Sequence, residues 1–332
     1  MQMPLRQTTI AARSSLPASL GALADALPAA PAALIDALFG PDAPKHVFML
    51  VDASLRSDIT GFFDLDSIGQ PAASLFDGAA AEGAQETAPW LVDLTIPAPD
   101  NPGALSFHRK FFQQHWPVGT SLLIQTDAGF DAIRRHLRRF TKLPVQDDGK
   151  LRFFRFWDPR VLRPFLDAIQ DDAPRLRRMM LTDDGTPIHY VIRHENADLR
   201  LSPVTEELAG EPITPMRLNY ADFDPIARAR AAERRKRMAD RICRDFAREL
   251  EHRPRKAVEA AVNHALQRFG AYGFRIHAHL HFFAAWTVFY GADFESRDPT
   301  GKLLEICHST GSEIERFKAF RQQFERSWSE AA

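Results

Sequence analysis

Between Ser121 and Ile169 the sequence alternates strand-length and helix-length apolar patterns, and this alternation limits the fold more than any other feature of the chain. Ser121-Leu122-Leu123-Ile124-Gln125 has the length and apolar density of a buried strand. Thr126-Asp127 can cap a helix, and the residues that follow place Phe130, Ile133, Leu137 and Phe140 on one side at helical spacing. A turn at Asp147-Asp148-Gly149 leads to a second strand, Leu151 to Trp157. Asp158-Pro159 ends that strand and starts a helix over Arg160 to Ile169. Strand, helix, strand, helix predicts a mixed sheet covered by helices and at least partly parallel.

The flanking segments extend this pattern. Residues 1–44 read as a loosely structured leader with one short helix, Pro31 to Phe39, stopped by Gly40-Pro41. Val47 to Val51 and Trp90 to Ile96 are further strands, separated by an Ala/Gly/Asp/Ser-rich linker over residues 64–89. A helix is expected over Leu105 to His115, and a hairpin from Met179-Met180-Leu181 to Ile188–Ile192 around Asp183-Asp184-Gly185. Beyond Pro203, Pro212 and Pro215 the periodicity is helical, with helices over 225–251, 255–269, 276–290 and from about Gly311, where Ile314, Phe317, Phe324 and Trp328 share a face. The predicted class is therefore α+β, with a mixed α/β domain over 45–205 and an all-helical domain over 215–332.

Composition narrows the functional classes. Lys plus Arg (42) nearly cancels Asp plus Glu (43), so no net field draws the molecule to nucleic acid or to an anionic membrane. Two cysteines, Cys243 and Cys307, form neither a disulfide framework nor a CxxC motif, which favours a reducing cytoplasm. The Ala/Leu-rich N-terminus is broken by Pro17, Gly21, Asp25, Pro28 and Pro31, unlike the apolar run of about 7 to 15 residues in a secretory signal. No window has the run of about 20 apolar residues needed to span a bilayer.

The residues that could carry chemistry are few. His277, His279 and His281 alternate as zinc ligands on a strand do, but the surrounding periodicity is helical and spreads them around the axis. No metal site and no cofactor are expected. GxSxG, HExxH, P-loop and GxGxxG motifs are absent, and the chain reads as a non-enzyme. The stronger signal is basic. Arg134, Arg135, Arg138 and Arg139 crowd the face of their helix opposite its apolar stripe, and like charges at that spacing repel unless an acidic group, inside or outside the chain, relieves them. Asp147-Asp148 is a candidate within the chain. Arg155 lies among aromatic residues and needs a carboxylate if buried, which Asp158, Asp52 or Asp93 could supply. Nucleic-acid binding and an uncharacterised hydrolytic activity are the alternatives to a protein-binding role for these groups.

The run Ser121 to Gln125, the phrase Ile133-Arg134-Arg135-His136-Leu137-Arg138-Arg139-Phe140, and above all Phe153-Phe154-Arg155-Phe156-Trp157-Asp158-Pro159-Arg160-Val161-Leu162-Arg163 resemble the core of the effector chaperone (adaptor) family encoded beside spike and toxin genes in type VI secretion clusters. Val51-Asp52-Ala53 and Trp90-Leu91-Val92 are similar to earlier strands of that domain, and the resemblance covers about Lys45 to Gln170. Trp286 to Phe294 is similar to the helical tail that often follows it. Trp157 stands where the family pattern has tyrosine. The resemblance implies a cytoplasmic, non-catalytic adaptor whose partners are a type VI effector (a toxin) and a VgrG-type spike protein, with no nucleic acid and no stable membrane insertion. The candidate partner-binding residues are Arg134, Arg135, Arg138, Arg139, Arg155, Trp157, Asp158 and Arg160.

Overall fold

The apolar runs of the first half are strands buried on both faces. In β2 (His46–Asp52), Phe48 and Leu50 point to one side of a sheet, whereas Val47, Met49 and Val51 point to the other. The same split separates Leu122 and Ile124 from Leu123 in β5 (Ser121–Thr126), and Tyr190 and Ile192 from Val191 in β8 (His189–His194). A side-chain period of two, with both sides covered, makes the middle of such a strand apolar and leaves its polar residues at the ends, as with Asp52 in β2 and Ser121, Gln125 and Thr126 in β5. In the computed structural model, which describes residues 3–11, 16–55, 70–76 and 87–329, the chain divides into two units, Met1–Ala227 and Arg228–Ala332. Most of the linker expected over 64–89 and the side chain of Trp328 lie outside the described residues.

The first unit is a seven-stranded sheet with a helical layer on each face. Its remaining strands are β1 (Leu5–Thr9), β3 (Ala72–Ser74), β4 (Pro89–Asp93) and β9 (Ala197–Pro203), in the order β1-β9-β8-β5-β2-β4-β3. Helices α1 (Gly21–Ala26), α2 (Ala32–Phe39) and α3 (Ser106–Lys110) lie on one face with the Val47–Met49 side of β2. Helices α4 (Phe130–Arg138), α5 (Pro159–Ala168) and α6 (Ala173–Met180) cover the other, around Phe140, Phe156, Phe165 and Tyr190. A separate two-stranded ribbon joins β6 (Lys142–Pro144) to β7 (Leu151–Phe153). A short helix, α7 (Thr205–Leu208), follows β9.

The α+β class holds, but the expected parallel pairing does not: every strand pair of the sheet is antiparallel. The helical crossover from β4 to β5 does make those two strands run the same way, since each is antiparallel to β2. They are not neighbours because β2 lies between them. Met179 and Met180 are not a strand either. They end α6, whose start is fixed by Asp172 accepting from the Arg175 amide and by Pro174 in the first turn. β8 pairs instead with β9, through a turn that holds Glu195 at φ 55°. The strand expected to reach Trp157 stops at Phe153, and residues 1–44 contribute an edge strand and a second helix beyond the one expected.

The second unit is helical throughout its described residues. It contains most of α8 (Tyr220–Asp245), followed by α9 (Arg255–Ala271), α10 (His277–Tyr290), α11 (Lys302–His308) and α12 (Glu313–Ser329). Its core is aromatic: Phe269 stacks on Phe283 at 3.9 Å between centroids, and Phe320 meets Phe283 edge-on at 4.9 Å. The three histidines fall at the start of α10. His277 is exposed, His279 Nδ1 lies 2.8 Å from Glu313 Oε1 with its ring stacked on Phe317, and His281 is half-buried.

Candidate functional site

Because β2 is covered on both faces, its last residue, Asp52, is carried almost completely out of solvent. A buried carboxylate is tolerated only when its oxygens are occupied. Here Asp52 accepts from the Ser54 amide at 2.9 Å, the Ser54 hydroxyl at 2.5 Å, the Trp157 indole N–H at 2.6 Å and an Arg155 guanidinium N–H at 2.5 Å. Of the three carboxylates open to Arg155 in the sequence, Asp52 is therefore its partner. Arg155 also donates from the same Nη2 to Ser54 Oγ at 3.1 Å; its side chain is 39% exposed as a whole, although its Nε is buried. The donor at position 157 is a buried indole N–H.

Asp158 and Arg160 close on each other. Asp158 is buried at the N-cap of α5, accepts from the Arg160 amide at 2.9 Å, and takes two guanidinium hydrogen bonds from the same arginine, both 2.8 Å. A bidentate pair at a helix start fixes where the helix begins.

Helix α4 buries Ile133 and Leu137 and leaves its arginines in different settings. Arg134 donates to the Ser74 carbonyl at 3.0 Å, Arg138 is half-buried, and Arg135 is exposed. Arg139 donates to Asp183 at 2.6 Å, and Arg178 of α6 donates to the other oxygen of the same carboxylate at 2.5 Å. Those hydrogen bonds, Arg139's foremost, hold the Asp183 carboxyl below the usual carboxylate range. His136 is buried next to them, and burial, then the charges of Arg178 and Arg139, lower its pKa to about 4. Within the chain, Asp183 thus relieves the charge of Arg139. Asp147 and Asp148 serve elsewhere: Asp147 accepts from the Tyr220 amide, and Asp148 accepts from Arg152 and the Tyr220 hydroxyl. Arg135, His136, Arg139 and Asp183 line a shallow cavity of about 220 Å³.

The ribbon adds a feature that sequence reading missed. Leu151 and Phe153 stand 69% and 59% exposed on β7. Lys142 Nζ lies 4.8 Å from the Phe153 ring centre, and Phe76 meets Phe153 at 5.9 Å and Trp157 at 6.1 Å. The available signal was the alternation Leu151-Arg152-Phe153 directly after a Gly149 turn, the pattern of a hairpin arm rather than of a core strand.

The structure therefore gathers Arg134, Arg155 and Trp157 around Asp52 and the Ser74–Phe76 segment, places Arg135 and Arg139 at the Asp183 cavity, and closes Asp158 with Arg160. Among the described residues no group of three or more His, Cys, Asp or Glu side chains is placed to hold a metal ion, and no helix is long and apolar enough to cross a membrane.

A DUF4123 domain, a domain of unknown function, is present over residues 47–175. It takes in β2, β4, β5, the α4 arginines and the Arg155–Arg160 segment. No curated protein and no solved structure matches the chain.

Proposed function

We propose that this protein is a cytoplasmic, non-catalytic adaptor that binds a type VI secretion effector and helps load it onto a VgrG-type spike protein. The observation that carries this reading is a coincidence of boundaries. The DUF4123 domain spans 47–175, and the phrases that resemble the effector chaperone family lie between Lys45 and Gln170. The geometry of that segment supports binding: its buried ion pairs fix the backbone, while Arg135, Leu151 and Phe153 remain at the surface.

The test is co-purification of the full chain with the products of its neighbouring genes, where a toxin and a VgrG-type spike are expected, using Arg135→Glu and Leu151→Ser/Phe153→Ser. Both variants change exposed side chains, so melting temperatures stay near that of the parent. Reversing the charge at a complementary interface is expected to weaken capture by about tenfold or more at physiological salt. If neither neighbouring gene product is retained by the parent chain, the adaptor reading fails. If both are retained equally by parent and variants, this surface is not where they bind.

A further inference from the structure

The second unit contains a groove of about 480 Å³ formed by α8, α9 and α10. Its floor is apolar: Met238 and Phe274 are fully buried beneath it, and Leu266 and Leu280 are half-buried along it. Arg234, Arg235, Arg275 and His277 line its sides, and none of its lining residues is acidic.

The acids nearest in sequence and fold are already engaged. Glu233 accepts from Arg237 at 2.8 Å, Asp240 pairs with Arg255 at 2.6 Å, and Asp245 pairs with Arg241 at 3.4 Å. Glu313 accepts from the amides of Arg275 and Ile276 and is paired with His279. The Arg275 guanidinium is itself tied to the carbonyls of Gly270 and Phe274. Arg234 and Arg235 stand on successive positions of α8, one exposed and one half-buried, and add charge to a groove that already has it. Among the described residues neither is paired with a carboxylate, whereas Arg237, Arg241 and Arg255 each are.

We propose that this groove is a docking site for an amphipathic helix of a partner protein, with apolar anchors on one face and Asp or Glu along the adjoining edge. Apolar side chains at i, i+3 or i+4, and i+7 would lie on Leu266 and Leu280, and the acidic edge would face Arg234 and Arg235. The volume is that of a formed ligand cleft, about 300 to 1,000 Å³, rather than of a surface dimple. A groove between helices is completed most economically by another helix. The inference rests on the second unit alone and holds whether or not the DUF4123 domain contacts an effector.

The experiment is selection of a displayed random peptide library, with inserts about 16 residues long so that roughly four helical turns can form, against the full chain. Selection is repeated against Arg234→Glu/Arg235→Glu and, as a control, Arg237→Glu. The expected result is enrichment of sequences with helical apolar spacing and net negative charge, kept by the Arg237 variant and lost with the double variant. A synthetic peptide of the leading sequence should bind the double variant about tenfold or more weakly. The melting temperatures of all three proteins should stay close, since none of the changed side chains is buried. Enrichment of neutral or basic peptides, equal recovery on the double variant, or no enrichment at all would each overturn the proposal. So would displacement of the synthetic peptide by oleate with an affinity above the peptide's own, which would make the groove a fatty-acid site.

Discussion

Replacing Asp52 by alanine is expected to destabilise the first unit by about 2 to 3 kcal/mol, and the figure follows from what each donor would lose. The Trp157 indole is 3% exposed, and its N–H would be left in the core without an acceptor, at about 1 to 3 kcal/mol. Arg155 is 39% exposed and regains water, so its pairing adds only about 0 to 1 kcal/mol, the range of a solvent-exposed pair and not of a buried one. Ser54 is exposed and rehydrates. Asp52→Asn keeps one acceptor oxygen and should cost about 1 kcal/mol. Trp157→Phe removes the donor while Arg155 and Ser54 still hold the carboxylate, again about 1 kcal/mol. Because both changes break one hydrogen bond, the double variant Asp52→Ala/Trp157→Phe should lose less than the sum of the singles by about 1 kcal/mol. Hydrogen exchange of the β2 and β5 amides reads the stability of this unit directly. A loss below about 1 kcal/mol for Asp52→Ala, or strict additivity in the cycle, would refute the assignment of Asp52 as the point where β2 is joined to the Arg155–Trp157 turn.

His136 and His189 are both lowered from 6.5 to about 4, mainly by burial, so the unfolded chain takes up protons before the folded one does. Stability is therefore complete above about pH 6.5 and falls as pH drops toward 4. His136 contributes about 3 kcal/mol of that loss, and urea titrations of His136→Leu should show a visibly flatter pH dependence. Cys307 is buried, and burial pushes its thiol up to about 12, whereas Cys243 is half-buried. Alkylation of the native protein at about pH 8 should modify Cys243 and leave Cys307 untouched until denaturant is added, as a mass spectrum of the digest would show.

The most readable elements in the sequence were those whose signal is local. β2, β4 and β5 follow from dense apolar runs, and α4, α9 and α10 from helical spacing with proline or glycine at their ends. What could not be read depends on partners far away in sequence. Leu5-Arg6-Gln7-Thr8-Thr9 has no apolar pattern of its own and is a strand only because β9 offers it an edge. Met179-Met180-Leu181 is too short an apolar run to tell helix from strand, and the cap at Asp172 decides it. The charged residues show the same limit. That Arg155 needs a carboxylate was a matter of chemistry, but choosing Asp52 required the fold to bring together residues 103 positions apart. Asp183 could not be assigned to Arg139 from α4 alone, because α6 lies on the same side of the sheet and carries Arg178 to the same carboxylate.

The pairing of β1 with β9 also has a consequence for the order of assembly. The register runs from Leu5 opposite Pro203 to Thr9 opposite Leu199, so β1 must wait for a strand made much later in the same unit before it has a place. Closing so long a loop is slow compared with zipping β8 to β9, which are joined by a tight turn. In the interval β9 presents a bare row of amides and carbonyls, and a β1 segment from another chain fits it as well as the chain's own. Refolding at high concentration should therefore yield strand-exchanged dimers that dilute refolding avoids, and removing the residues up to Ile10 would leave that edge open permanently.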